Sequence, residues 1–167
     1  ASTVEQFGRL DIIIANAGVY RDRGIAKLEE ADFDATFDVN VKGAFNLVRH
    51  AWPQMVQQGY GRIVLTTSGS VFGARNYFLY GSAKAAIMGM VENLRHEGKN
   101  HRIGVNAILP GAATAMTMSD PTMTEAQRQA MESRAPPGLA APAAVFLSHE
   151  DCRDNGEVVF AEMGGFG

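Results

Sequence analysis

The chain has 167 residues, 20% of them charged, and a formal net charge of −3. That length suits one domain with room for a proper core, and its interspersed charges contain no basic run of the kind that binds nucleic acid. The one cysteine, Cys152, excludes an internal disulfide, has no neighbours at metal-ligand spacing, and points to a reducing compartment, read here as the cytoplasm.

Ala1 to Gly8 lacks the features of a signal peptide, and no later stretch approaches the roughly 18 apolar residues of a membrane span. It reads as the tail of an amphipathic helix without an initiating methionine, so the chain is expected to be a fragment. Leu10 to Ala15 is an apolar run broken only by Asp11, which suits a strand covered on both faces. Asn16-Ala17-Gly18 ends it with small residues that permit a tight turn and close approach of a ligand. In the loop from Val19 to Lys27, Arg21-Asp22-Arg23 is expected to be a solvated charge cluster, with contact to an anionic substrate tail as the alternative.

One long helix is expected from Glu29 to about Gln57, because Phe33, Phe37, Val41, Ala44, Val48, Trp52 and Met55 recur at three- and four-residue steps. Glu29, Glu30 and Asp32 suit its N-terminus, and Pro53 is expected to kink or end it. Asn40 sits mid-helix beside the stripe, where a buried amide needs partners. A strand follows from Arg62 to Thr67, then a loop with Gly73, Tyr77 and Phe78, then a helix from about Leu79 to Glu97. Ile103 to Leu109 is a third strand, ended by Pro110-Gly111. Residues 112–137 form a methionine-rich segment with a Thr124/Gln127 capping box, read as a lid over a substrate. A short helix from Pro142 to Ser148 and a strand from Gly156 to Ala161 complete the pattern, with Gly164-Gly165 closing a loop. Alternating strands and helices of this kind make an α/β fold with a parallel sheet.

The chemistry concentrates between Arg62 and Met90. Tyr80 and Lys84, four residues apart, share one face of a helix. An ammonium beside a phenol favours the phenolate, so Lys84 is expected to lower the Tyr80 pKa and make it a general acid or base. Ser68, at the carboxyl end of the preceding strand, is placed where open α/β sheets bind ligands, and its hydroxyl can donate to a substrate oxygen. The competing reading of Tyr80 and Lys84 is an ordinary amphipathic surface.

Ser68, Tyr80-Gly-Ser-Ala-Lys84, Asn16-Ala17-Gly18, Asn40 and Pro110-Gly111 stand in the order and approximate spacing that resembles the short-chain dehydrogenase/reductase family. Two places depart from its pattern. Ala15 stands where many members carry Asn, and the interval from Ser68 to Tyr80 is one residue short, with Ser70 as the fallback serine. The resemblance implies the second half of a Rossmann-like, doubly wound sheet of about four strands in a single truncated domain. It also implies an oxidoreductase using NAD or NADP. Asn16, Ala17 and Gly18 would lie beside the adenosine half of the cofactor. Pro110 and Gly111 would lie along the nicotinamide, with Thr114 on its carboxamide and Lys84 on its ribose. Asn40 would hold a proton-relay water, and the helices of Asn40 and Tyr80 would pack on a second subunit in a homodimer or homotetramer. No Gly-x-Gly-x-x-Gly-like turn precedes Asn16, so the phosphate-binding half is expected upstream, and with it a strand beside Leu10 to Ala15. The substrate is a carbonyl or secondary alcohol. Arg21-Asp22-Arg23 and the tail from Leu147 to Gly156 look most like the (3R)-hydroxyacyl-CoA dehydrogenase branch. A non-catalytic scaffold of the same fold is the alternative. No metal site is expected.

Overall fold

The structure, a computed structural model, describes residues 2–119, 123–162 and 164–167. The apolar runs become strands: β1 (Ile12–Ala15), β2 (Gly61–Thr66), β3 (Ile103–Gly111) and β4 (Val158–Glu162) lie in that order, each parallel to the next. Register pairs Ile13 with Ile63 and Ile63 with Val105. A two-residue strand, β5 (Gly165–Phe166), turns back antiparallel on β4 where a closing loop is expected from sequence.

Successive strand residues point to opposite faces, and the core divides accordingly. Ile13, Ile63, Leu65, Val105 and Ala107 join one buried cluster; Val64, Ile108, Val159 and Ala161 join another. The chain opens with α1 (Ser2–Phe7), and α2 (Glu30–Phe37) follows β1. The first cluster is covered by α3 (Gly43–Gln58) and α4 (Phe78–Gly98) through Val48, Met55, Ile87 and Val91. Two short helices, α5 (Ala115–Met118) and α6 (Glu125–Arg134), precede α7 (Ala141–Ser148), which covers the second cluster with Ala143 and Leu147. Helices thus cover both faces of the sheet, as a doubly wound fold requires. Thr124 and Gln127 form the expected capping box at the start of α6. Residues 120–122 of the expected lid lie outside the described residues.

The single helix expected over 29–57 is interrupted. Between α2 and α3 the residues Asp38–Lys42 form a π-helical turn. Asp32, Thr36, Asn40, Ala44 and Val48 are all under 9% exposed, at strict four-residue steps. An α-helix drifts by about 40° over each such step, so the wider turn restores the alignment and keeps Asn40 facing inward. The apolar stripe read from sequence assumes an unbroken period. Phe33 is therefore 46% exposed and stacks on Phe37 at 4.3 Å between ring centroids, outside the core. Pro53 neither ends the helix nor displaces its inner face: α3 runs through it to Gln58, and Ala51 and Met55 on either side are buried.

β1 is the last strand on its side of the sheet among the described residues. Ile13 is buried, while Ile12 and Ile14 are 43% and 45% exposed; they share the face of Val64 but are not part of the cluster that α7 covers there. Such an edge is a template for pairing with another chain. In the isolated chain, amide hydrogen exchange is expected to be at least about tenfold faster in Ile12–Ala15 than in Val64–Leu65, with concentration-dependent association. Equal protection in a strictly monomeric sample would contradict this.

Candidate active site

The parallel strands place their carboxyl ends together, and ligand sites in open α/β sheets form there. Asn16 follows β1, Thr66 ends β2 with Thr67 and Ser68 just beyond it, and Pro110 and Gly111 end β3. With α4 above them they line a cavity of about 400 Å³ that takes in Gly18, Tyr80, Lys84 and Thr114. Of the residues singled out from sequence, Asn40 and Ala17 do not line this cavity. They face an adjoining one of about 380 Å³ that shares Asn16, Thr66 and Lys84 with the first.

Lys84 is 2% exposed, and its Nζ donates to the Thr66 carbonyl at 2.9 Å. The Thr66 hydroxyl donates to Asn16 Oδ1 at 3.0 Å, and the Thr67 hydroxyl to the Lys84 carbonyl at 2.9 Å. The end of β2, the Asn16-Ala17-Gly18 turn and α4 are thereby tied together. Asn40 Nδ2 donates to Val19 O and Thr36 O at 2.9 Å each, while its buried Oδ1 accepts no protein hydrogen bond. The wall between Asn40 and Lys84 is Gly18. A Cβ there would lie 2.7 Å from Asn40 Oδ1 and 3.6 Å from Lys84 Nζ, closer to the oxygen than packing allows.

Ser68 caps a short turn, Gly69–Phe72. Ser70 donates to Ser68 Oγ from its backbone N–H at 3.3 Å and its hydroxyl at 3.1 Å. Ser68 is left with its own O–H to donate. Ser68 lines the cavity and the fallback Ser70 does not. The first turn of α4 comes close because residue 81 is glycine: a Cβ there would stand 2.9 Å from the Ser70 carbonyl.

Tyr80 is half-buried, edge-on to Tyr20 and Tyr77 at 5.8 and 6.2 Å. Burial pushes its phenol up, Tyr77 adds to this, and interaction with the Ser68 hydroxyl opposes it. This corrects the expectation that Lys84 pulls the phenol down. The amine lies 5.5 Å from the Tyr80 ring centroid and is committed to the Thr66 carbonyl. Burial also lowers Lys84 itself, to about 8.

Two members of the Arg21-Asp22-Arg23 cluster have partners within the fold: Arg23, still half exposed as a solvated charge would be, and Asp22, which is not simply solvated. Arg23 pairs with the buried carboxylate of Asp32 at 2.7 Å, which holds the Asp32 pKa below its usual range. Asp22 accepts the backbone N–H groups of Leu79 and Tyr80 at 2.7 Å each. The cavity wall also includes Met116 and Met131 of the expected lid, with Thr117 from the same segment, and Tyr20, which sequence reasoning left unassigned to the site. Tyr77 and the methionine-rich composition of 112–137 were the visible signals; Tyr20 had none.

The chain matches the short chain dehydrogenase family over residues 1–125. It is 35% identical over 167 residues to the peroxisomal multifunctional enzyme type 2 of Drosophila melanogaster, covering 98% of this chain and 26% of that protein. A putative short-chain type dehydrogenase/reductase of Mycobacterium tuberculosis is 34% identical over 160 residues, 94% of this chain and 53% of that one. A 3-oxoacyl-(acyl-carrier-protein) reductase of Thermotoga maritima is 36% identical over 137 residues, 81% of this chain and 54% of its own length. The structure of the full-length Drosophila enzyme superposes with a TM-score of 0.79 at 30% identity, over 92% of this chain and 27% of that one. The chain thus spans between about a quarter and about half of these relatives. Since the matched stretch holds every residue from Asn16 to Lys84 that the fold gathers at the sheet edge, the chain belongs to the short chain dehydrogenase family.

Proposed function

We propose that this chain carries the catalytic half of an NAD(P)-dependent oxidoreductase acting on a carbonyl or secondary alcohol, with a 3-oxoacyl or (3R)-3-hydroxyacyl thioester as substrate. The observation that carries the reading is the convergence of Ser68, Tyr80 and Lys84 on one cavity, with Asn40 directly behind the lysine. The residues present fit the nicotinamide half of the cofactor. Gly18 keeps the ground beside Lys84 clear, and Asn16, Pro110, Gly111 and Thr114 line the same wall. Lys84 would hold the ribose and Thr114 the carboxamide. Ala17, on the adjoining cavity, belongs to the turn assigned to the adenosine side.

When bound, the nicotinamide supplies or accepts the hydride at the carbon bearing the substrate oxygen. The chain's own residues manage that oxygen and its proton. Ser68 donates a hydrogen bond to the oxygen and steadies its developing charge. In reduction the neutral Tyr80 phenol gives its proton to the oxygen; in oxidation the phenolate takes the proton of the alcohol. Lys84 places a positive charge beside the ring as the phenolate forms. Asn40 would hold the relay water through which that proton is returned. Met116 and Met131 give the wall an adaptable apolar surface suited to an acyl chain.

The same reading includes a second copy of the chain on α3 and α4. A groove of about 600 Å³ runs there between Phe45, Trp52, Met90 and Leu94, with Phe45 48% exposed. It also includes a cytoplasmic location, resting on the single cysteine. Among the described residues no helix is long and apolar enough to cross a membrane.

The test expresses the chain alone and together with any coding sequence found to precede Ala1. Oxidation of NADH and NADPH is followed with 3-oxoacyl thioesters and simple ketones. Turnover of the thioesters above the ketones is the expected result. Absence of turnover with every combination would leave a scaffold of this fold as the better reading.

A further inference from the structure

The helix that carries Tyr80 begins without a cap of its own. Its N-terminal flanking residue, Tyr77, makes no capping bond from its side chain. The residues before it, Gly73 and Asn76, lie at φ of 97° and 64°, in a loop that gives α4 no continuous lead-in. The N–H groups at the second and third helical positions are those a cap normally satisfies. Here they belong to Leu79 and to Tyr80 itself, and both are taken by the carboxylate of Asp22, one oxygen to each, at 2.7 Å.

Asp22 is held from both sides. Two residues before it, the Tyr20 hydroxyl donates to the Asn76 carbonyl at 2.8 Å. One residue after it, Arg23 is paired with the buried Asp32 at the start of α2. The strap from 20 to 23 therefore runs from the Asn16-Ala17-Gly18 turn to the first turn of α4 and is anchored at each end. A carboxylate at a helix N-terminus is also favoured by the helix dipole.

We propose that Asp22 is a positioning residue for the reaction: by capping α4 from the neighbouring loop it sets the direction in which the Tyr80 phenol meets Ser68 and the substrate oxygen. This rests on the assignment of Tyr80 as the proton donor. Through the Asp22 side chain the strap adds a link between the Asn16-Ala17-Gly18 turn and the proton donor, beside the one that runs through Thr66 and Lys84.

The experiment uses the protein expressed from its full open reading frame, as wild type, Asp22→Ala and Asp22→Asn. Asparagine keeps the shape of the side chain and one of its acceptor oxygens. Amide exchange at Leu79 and Tyr80 is read together with steady-state kinetics. The expected result for Asp22→Ala is faster exchange at both amides and a kcat lower by roughly tenfold to a hundredfold, the scale of an ångström-sized misplacement. KM should stay within about twofold, the mark of a defect in reacting geometry rather than in binding. Asp22→Asn should fall between, and carries the test alone if the alanine variant does not fold. Unchanged exchange at Leu79 and Tyr80, or faster exchange with kcat intact, overturns the proposal. A wild-type protein without turnover instead defeats the assignment of Tyr80 and removes the catalytic role with it, while the exchange data still decide whether Asp22 caps the helix.

Discussion

Tyr80→Phe will remove turnover by roughly 10²- to 10⁴-fold while leaving the fold in place, the range for loss of a general acid. The ring itself contributes packing against Tyr20 and Tyr77, and phenylalanine retains that packing. Only the hydroxyl is lost, so the melting temperature is expected to stay within a few degrees of wild type. Because burial holds the phenol above its ordinary value, Tyr80 is protonated at neutral pH and ready to donate. Carbonyl reduction should therefore be supported at neutral pH. Alcohol oxidation, which needs the phenolate, should rise as the pH becomes alkaline. Steady-state rates in both directions across pH, with and without the substitution, give the answer. Robust turnover surviving in the phenylalanine variant would remove Tyr80 from the mechanism.

Lys84→Met is expected to have two opposite effects. Loss of the positive charge beside the phenol should abolish measurable turnover, whereas stability at pH 7 should increase. Burial holds the folded-state pKa near 8 against the ordinary 10.5. At about 1.4 kcal/mol per tenfold in a protonation equilibrium, keeping this ammonium inside costs about 3 kcal/mol at neutral pH. Methionine removes that cost but orphans the Thr66 carbonyl, which Lys84 now satisfies, at about 1–2 kcal/mol. The net gain is about 1–2 kcal/mol, on the order of 2–8 °C in melting temperature. Between about 8 and 10.5 the unfolded chain binds more protons than the folded one, so wild-type stability rises with pH across that window. The advantage of the variant should accordingly be full below pH 8 and shrink toward pH 10. Denaturant titrations at pH 7 and pH 10 measure this; a variant less stable than wild type at pH 7 would mean that burial of Lys84 is not the dominant cost.

These two residues also mark how far the sequence could be read. Four-residue spacing on a helix correctly places Tyr80 and Lys84 on one face. Spacing says nothing of where a flexible amine ends, and here it ends on a strand carbonyl from β2. The parallel strands were legible because runs such as Ile63-Val64-Leu65 need cover on both faces, and they receive it. The π turn was not legible. It is held by Asn40 through bonds to Val19 O and Thr36 O, and the first of these crosses 21 residues of chain. Asp22 was misread for the same reason: a helix cap is sought next to its helix, and this one comes from 57 residues away. Composition could show three charges in a row. Only the fold separates the one that caps a helix from the one that pairs with a buried acid.

The open side of β1 reaches further than solubility. That strand runs directly into Asn16-Ala17-Gly18, which walls the cleft beside Lys84 and leads into the strap held on α4. A polypeptide laid along this rim would stiffen the turn and, through it, the proton donor. Completing the sheet and arming the chemistry would be one event. Two separately made pieces divided before β1 would then report their own reunion by the appearance of catalysis.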